Sequence, residues 1–347
     1  MISLGHIIAV DMGTSSAKVV RGRRSGNGIA VDRYANIPLP VGYKSFDAIK
    51  DKDAVVQAMK PALADAGIKR GRCVLSVSTS DIIARPMVLP DMPEPSLREN
   101  IMYELNQYVP VDTEKYAVDY KAVRDTEDDS SAARMYIIAA AVSRTLLKDA
   151  VEIMRELGLD VYAIDLDFNA LARFFAFIDN AEHTADKGDS MIIDIGHEFA
   201  QAIIYNADKI YINRTIGSGS YDVDVMIANA LDSSPTAVSN MKYSLSPDTQ
   251  HEVYNAVMSV LESIAAEVIR IIDYFSTRYR GHAIEKVYIS GGGAYIEGMD
   301  EYFSQALGIP VLRVKEGQWI KLRNQQDKDN FDISNFATAL GLLLKGE

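Results

Sequence analysis

The chain has 347 residues, 48% of them hydrophobic and 24% charged, with a formal net charge of −12. That length is too great for one ordinary core and admits two domains. The acidic balance excludes a general nucleic-acid binder and direct docking on anionic lipid, both of which need a basic face, and the single cysteine, Cys73, excludes an internal disulfide.

The first informative stretch is Ile7-Ile8-Ala9-Val10-Asp11-Met12-Gly13-Thr14-Ser15-Ser16-Ala17-Lys18-Val19-Val20, two apolar runs joined by a polar turn. Asp11, with no basic region before it, is incompatible with a signal peptide. Gly13 tolerates a tight turn and lets a ligand approach the main chain. Exposed N–H groups in such a turn form an anion-binding concavity, and Thr14, Ser15 and Ser16 add hydroxyl donors. Asp11, at the strand end, offers a hard oxygen ligand for a hydrated Mg²⁺ beside a phosphate. Lys18 is either a point charge for that phosphate or an edge lysine with its head in water. An ordinary hairpin with a polar turn has the same local pattern.

A turn at Ser25-Gly26-Asn27-Gly28 leads into a predicted strand over 29–39. Residues 53–66 carry helical spacing that stops at Gly67. Two strands, 74–77 and 82–89, flank the polar turn Ser78-Thr79-Ser80-Asp81. Cys73 adjoins the first of them and reads as a small buried hydrophobe. Ser96 and Glu99 form a capping box for a helix with Ile101, Leu105 and Tyr108 on one face, ended by Pro110. The acidic run 125–131 reads as a solvated hairpin tip. A strand over 135–142 contains the longest apolar run, far too short to cross a membrane. An amphipathic helix then stops at Gly158. Asp165 and Asp167 precede or open the next helix, where an N-cap and a hydrolytic base are both open readings.

The opening phrase then returns. Met191-Ile192-Ile193-Asp194-Ile195-Gly196 again runs apolar–Asp–x–Gly, with Asp194 placed 183 positions after Asp11. Strands over 202–205 and 210–214, a Gly217-Ser218-Gly219-Ser220 loop and a long helix with a stripe from Val253 to Phe275 follow. Val287-Tyr288-Ile289-Ser290 runs into Gly291, Gly292 and Gly293, and a helix near 298–307 is expected to turn its N–H groups toward an anion. A closing helix spans 336–344. Two such hairpins half a chain apart predict two related halves gripping a phosphate. Buried strand-end carboxylates are costly without a partner or metal, so the pair favours a shared Mg²⁺.

This ordered trio of motifs resembles the actin/Hsp70/sugar-kinase superfamily. Leu89-Pro90, Glu104-Leu105-Asn106-Gln107-Tyr108-Val109-Pro110, Asp165 to Arg173 and Ile289 to Gly298 resemble, over nearly the whole chain, the PilM family of actin-like type IV pilus assembly proteins. An early insertion also resembles FtsA, whose C-terminal amphipathic membrane helix has no counterpart in this sequence. The resemblance implies an α/β actin-like ATPase fold of two ribonuclease-H-like domains with an FtsA/PilM-type inserted subdomain. The expected division is 1–39 and 161–187 for the first core, 40–160 for the insert and 188–347 for the second domain, with a helix at about 333–345 returning to the core.

It also implies ATP and Mg²⁺ as cofactors, with Asp11 and Asp194 at the metal. Gly13, Thr14, Ser15, Ser16, Lys18, Gly196, His197, Glu267, Arg270, Gly291, Gly292 and Gly293 fall at nucleotide-contact positions, and Asp165 or Asp167 near the water-orienting one. Glu267 and Arg270, with Asp273, read equally well as a solvated helix face. The implied partner is the N-terminal cytoplasmic peptide of an inner-membrane PilN-type protein, alongside other pilus assembly proteins. Its groove lies between insert and first core, with helix 97–108 and strand 84–89 as neighbours, and the expected location is the cytoplasmic face of the inner membrane. Turnover is expected to be weak at most. His197, Glu198, Phe199, Ala200 and Gln201 replace small or hydroxyl residues, Glu198 brings like charge, and His197 donates to a phosphate only if protonated. Rival readings are a small-molecule kinase, an FtsA-like filament-forming tether and a nucleotide-free scaffold.

Overall fold

The computed structural model describes residues 5–45, 47–78, 82–107, 111–124, 134–182, 188–244, 251–314, 317–323 and 331–345. Tyr108, Pro110, the acidic run 125–131 and the turn residues 79–81 fall outside them. The first half begins with a meander, β1 (Ile7–Met12), β2 (Ser16–Ser25) and β3 (Gly28–Pro38). Then come α1 (Lys52–Asp65), β4 (Gly71–Val77), β5 (Ile83–Pro90), α2 (Glu94–Asn106), β6 (Tyr116–Arg124), β7 (Arg134–Ser143), α3 (Arg144–Glu156), β8 (Leu159–Leu166) and α4 (Asp167–Ala181). The second half opens with its own meander, β9 (Asp189–Ile195), β10 (Ala200–Asn206) and β11 (Lys209–Ile216). It continues through α5 (Ser220–Ala230), α6 (Pro235–Val238), the long α7 (His251–Arg278), β12 (Ile284–Ser290), α8 (Met299–Leu307), β13 (Val311–Arg313), β14 (Ile320–Leu322) and α9 (Ala337–Leu343).

The two main sheets share one plan. Their orders are β14-β3-β2-β1-β4-β8 and β11-β10-β9-β12-β13. Apart from the added edge strand β14, each is an antiparallel meander continued by two parallel strands. β1 is buried along its whole length, because a central strand covered on both faces must be apolar throughout. β4 lies between β1 and β8 in the core sheet, so the stretch 40–160 is not one insert. The separate sheet, β5-β7-β6, and its helix α2 occupy 83–143.

Within that sheet β7 alternates. Met135, Ile137, Ala139 and Ala141 pack on Leu97, Ile101 and Leu105 of α2, while Ile138, Ala140 and Val142 turn to the opposite face. The capping box expected at Ser96 does not form. Pro93 is the N-cap, and the helix already runs through Ser96, because a proline lacking an N–H is tolerated in the first turn.

Two helices are buried at the join of the halves. α9 lies so close to α4 that a side chain at Gly341 would place its Cβ 2.0 Å from the Ala170 carbonyl oxygen. Phe175 of α4 stacks on Tyr288 of β12 with ring centroids 4.6 Å apart. Asp179, near the end of α4, accepts hydrogen bonds from the Tyr205 and Tyr288 hydroxyls at 2.7 Å and pairs with Lys286. α4 is thereby pinned to the second sheet at its C-terminal end, and its first residue, Asp167, is also bonded by Gln201 of β10. Among the described residues no helix is long and apolar enough to cross a membrane.

Candidate functional site

The tips of the β1–β2 and β9–β10 hairpins line one cleft of about 700 Å³ between the halves. Each tip closes in the same way, Gly13 N donating to the Ser16 carbonyl at 3.1 Å and Gly196 N to that of Phe199 at 3.0 Å. Each aspartate takes a hydroxyl from the parallel strand beside it. Ser76 Oγ of β4 donates to Asp11 at 2.7 Å, and Ser290 Oγ of β12 to Asp194 at 2.5 Å. Each serine stands opposite its aspartate in the ladder. Ser290 is the last residue of β12, and Ser76 the residue before the last of β4.

Loop carbonyls are taken from behind. Tyr43 Oη donates to the Gly13 carbonyl at 2.6 Å, Lys44 Nζ to those of Met12 and Ser78 at 2.9 and 2.8 Å, and Leu39 N to that of Ser15 at 2.9 Å. The Thr14 and Ser15 N–H groups make no hydrogen bond to protein among the described residues, which leaves an unfilled donor set of the kind that binds anions. Lys18 lines the same wall. Burial lowers Lys44 to about 8, opposed by the charges of Asp11, Asp167 and Glu198, so it remains a cation at neutral pH.

On the opposite wall, Gly291 has φ +83° and a Cβ there would lie 2.4 Å from the Ile195 carbonyl oxygen, so only glycine fits. Gly291 and Gly292 line the cleft; Gly293 does not, being packed behind them on Ile195. A short 3₁₀ turn, Gly292–Tyr295, follows directly, and α8 does not reach the cleft. Burial, with help from Lys242, holds His197 below the ordinary imidazole range, which disfavours a protonated phosphate donor. Glu198 is exposed and is not among the lining residues. Its charge acts on Tyr43 and Lys44 instead.

The two helix-start aspartates separate. Asp167 lines the cleft, accepting from Gln201 Nε2 at 3.0 Å and Phe168 N at 2.7 Å. Burial pushes it up to about 6, against hydrogen bonds from Ser78 and Phe168 and with the charges of Asp11 and Asp194 adding. Gln201 Oε1 is buried without a partner beside it. Burial likewise raises Asp194, opposed by the Ser290 hydroxyl. Asp165 faces away and bonds Asn169 at 2.8 Å, Arg173 at 2.8 Å and Lys345 at 3.2 Å. Burial raises its carboxyl, but those two cations and the amide outweigh burial and hold it below the usual range. It is a structural ion-pair centre, not a free base.

Glu267 and Arg270 are also not in the cleft. They pair with each other on the exposed side of α7. Besides Asp11 and Asp167, two further buried charges face it, Lys242 and Asp224, each 3% exposed. Lys242 Nζ donates to both Asp224 oxygens at 2.6 and 2.7 Å and to the Ser220 carbonyl at 3.0 Å. No local pattern in the sequence marks this pair.

Among the described residues no three His, Cys, Asp or Glu side chains cluster as a metal site. Two carboxylates without a third ligand suit Mg²⁺, which keeps several waters and completes its shell with phosphate oxygens.

A second cavity, about 470 Å³, lies between the three-stranded sheet and the first core. Ala117, Asp119, Tyr120 and Lys121 of β6 and Ile138, Ala140 and Val142 of β7 form one wall. Ile164, Leu166, Phe168, Arg173 and Lys345 are on the other. The expected neighbours, helix 97–108 and strand 84–89, do not line it, because α2 covers the other face of the sheet.

The chain is similar to known proteins over nearly its full length. A structure described as a PilM–PilN type IV pilus biogenesis complex shares 22% identity over 97% of each chain, with a TM-score of 0.82. The ethanolamine utilization protein EutJ from Carboxydothermus hydrogenoformans is similar at TM-score 0.58 and 15% identity, over 99% of this chain and 90% of that one. MreB 5 of Spiroplasma citri, in a structure bound to AMPPNP, is similar at TM-score 0.56 and 13% identity, over 98% and 95%. The fold is the actin-like ATPase fold. The family model for type IV pilus assembly protein PilM matches residues 9–347. With that match spanning both halves and the cleft between them, the chain belongs to the PilM family of type IV pilus assembly proteins.

Proposed function

We propose that this chain is a scaffold of type IV pilus assembly that binds ATP–Mg²⁺ between its halves. On the same reading it docks the N-terminal cytoplasmic peptide of a PilN-type inner-membrane protein, which holds it at the cytoplasmic face of that membrane. The observation that carries the nucleotide reading is the pair of Asp-x-Gly tips lining one cleft, with the free N–H groups of Thr14 and Ser15 beside them. Thr14, Ser15, Ser16 and Lys18 would bind phosphate oxygens, and Asp11 and Asp194 would hold the ion. The ion neutralises phosphate charge when bound. Asp167, which lines the cleft, accepts a proton of one water and orients it, while Gln201 Nε2 behind it holds the carboxylate in place.

For the peptide, the cavity beside β6 offers an apolar floor, a charged rim and the open edge of a sheet, a combination that suits an extended segment. The two sites meet at one turn. Asp165, Leu166, Phe168 and Asn169 line the groove while Asp167, between them, lines the cleft. A shift of this turn is felt on both sides, so each ligand changes the affinity of the other by the same factor.

Capture by a synthetic peptide of the partner's N-terminus, with and without ATP–Mg²⁺, tests this reading. Wild type is retained, and Ala140→Arg, which places a charge in the groove floor, is not, although it still binds nucleotide. Equal capture of both proteins, or of neither, contradicts the docking site.

A further inference from the structure

Besides Lys18, which lines the cleft, the first loop carries a second cation, Lys44, set behind it. Its ammonium sits behind the phosphate-type turn, bonded to the carbonyls of Met12 and Ser78, which end β1 and follow β4. Those carbonyls flank the two acidic groups of this wall. Met12 follows Asp11, and the Ser78 hydroxyl bonds Asp167. The lysine is also held firmly. Lys50 N donates to the Tyr43 carbonyl at 2.7 Å, Ile49 N donates to buried Asp149 at 3.1 Å, and Lys44 forms an isolated bridge with Ile49.

The second half holds its loop without a charge. The Gly196 and His197 carbonyls take bonds from the Ser220 and Tyr221 amides at 2.9 and 2.8 Å. A neutral N–H therefore suffices to clamp such a loop, and Tyr43 already clamps Gly13 on the first side. What Lys44 adds is a fixed positive charge beside Asp11 and Asp167, on the wall where a triphosphate would enter.

We infer that Lys44 is a positioning residue that adds a built-in countercharge to that of Lys18 at the phosphate site, so that nucleotide binding by this chain depends less on a divalent ion than the two facing carboxylates and Lys18 would allow. The inference rests on the nucleotide reading above. It carries no reaction step and needs no contact between Lys44 and the nucleotide. A fixed charge in a partly dry wall acts through space, and its effect is largest when no metal offsets Asp11.

The test is calorimetric titration of ATP into wild type and Lys44→Gln, Lys44→Met, Lys44→Arg and Tyr43→Phe variants, with excess Mg²⁺ and with a chelator. Chelation is expected to weaken wild type about tenfold and the two neutral variants about a hundredfold or more, with Lys44→Arg like wild type. Tyr43→Phe, which removes a clamp but no charge, is expected to weaken binding equally with and without metal. Melting curves confirm that each variant is folded. The same metal dependence in wild type and a folded neutral variant overturns the inference, as does a Lys44→Arg that behaves like Lys44→Gln. No ATP binding by wild type, with metal or without, overturns the nucleotide reading and this inference together.

Discussion

In the first half the hairpin loop is braced by side chains, Tyr43 and Lys44. In the second it is braced by the main-chain amides of Ser220 and Tyr221 at the start of α5. The central residues of the first turn are Thr14 and Ser15, those of the second His197 and Glu198. The sheets, the glycine turns and the serine-held aspartates repeat; what faces the ligand does not. A duplicated plan fixes where the two carboxylates stand, while the loops divide the labour. The first loop offers small donors and nearby positive charge, and the second offers a neutral ring, with the glycines after β12 beside it.

The largest effect expected from breaking this arrangement lies at Gly291. Its alanine variant must keep φ near +83° with a Cβ against the Ile195 carbonyl, and loses about 3 kcal/mol in chemical denaturation. Asp167→Asn should act in the opposite direction. The folded carboxyl, at about 6, binds its proton more tightly than the unfolded one, so stability present at low pH is lost as pH rises through 4 to 6. The amide escapes that loss and should gain about 2 kcal/mol at pH 7.5, the gain fading as pH falls from 6 to 4, with any ATP hydrolysis reduced. Denaturation series across pH 4–8 check both the sign and the window.

A smaller, paired effect sharpens the likeness of the halves. Ser76→Ala and Ser290→Ala each remove one hydroxyl from a tip carboxylate and should each cost about 1.5 kcal/mol, in equal measure if the halves are equivalent there. Smallest is the double change His197→Thr with Glu198→Ser, which makes the second turn resemble the first. It should tighten ATP by about threefold, read by calorimetry, because neither residue blocks the cleft outright.

Much of this plan was legible from the chain. Asp11-Met12-Gly13 and Asp194-Ile195-Gly196 announce their hairpins because a central strand is apolar throughout and the turn must break it with glycine. β4 was readable as a strand from Val74 to Val77 but not as a core strand, since its neighbours β1 and β8 are distant in sequence. Asp165 and Asp167 look alike in the sequence. Only the turn between β8 and α4 sends one to Arg173 and Lys345 and the other to the cleft. Glu267 and Arg270 sit on a long amphipathic helix whose rotation about its axis, set by packing, turns them outward. Lys44, Gln201, Lys242 and Asp224 carry no spacing signal, because their partners are brought to them by the tertiary fold. β6 went unread as well, its alternation weakened by charged residues along an open edge.

The most direct test of the central claim is calorimetry of ATP–Mg²⁺ binding to wild type and to Asp11→Ala. Saturable binding at one site per chain in wild type, weakened by at least about a hundredfold in the variant, is the predicted result. Equal heats in the two proteins would contradict a nucleotide site built on the facing hairpins.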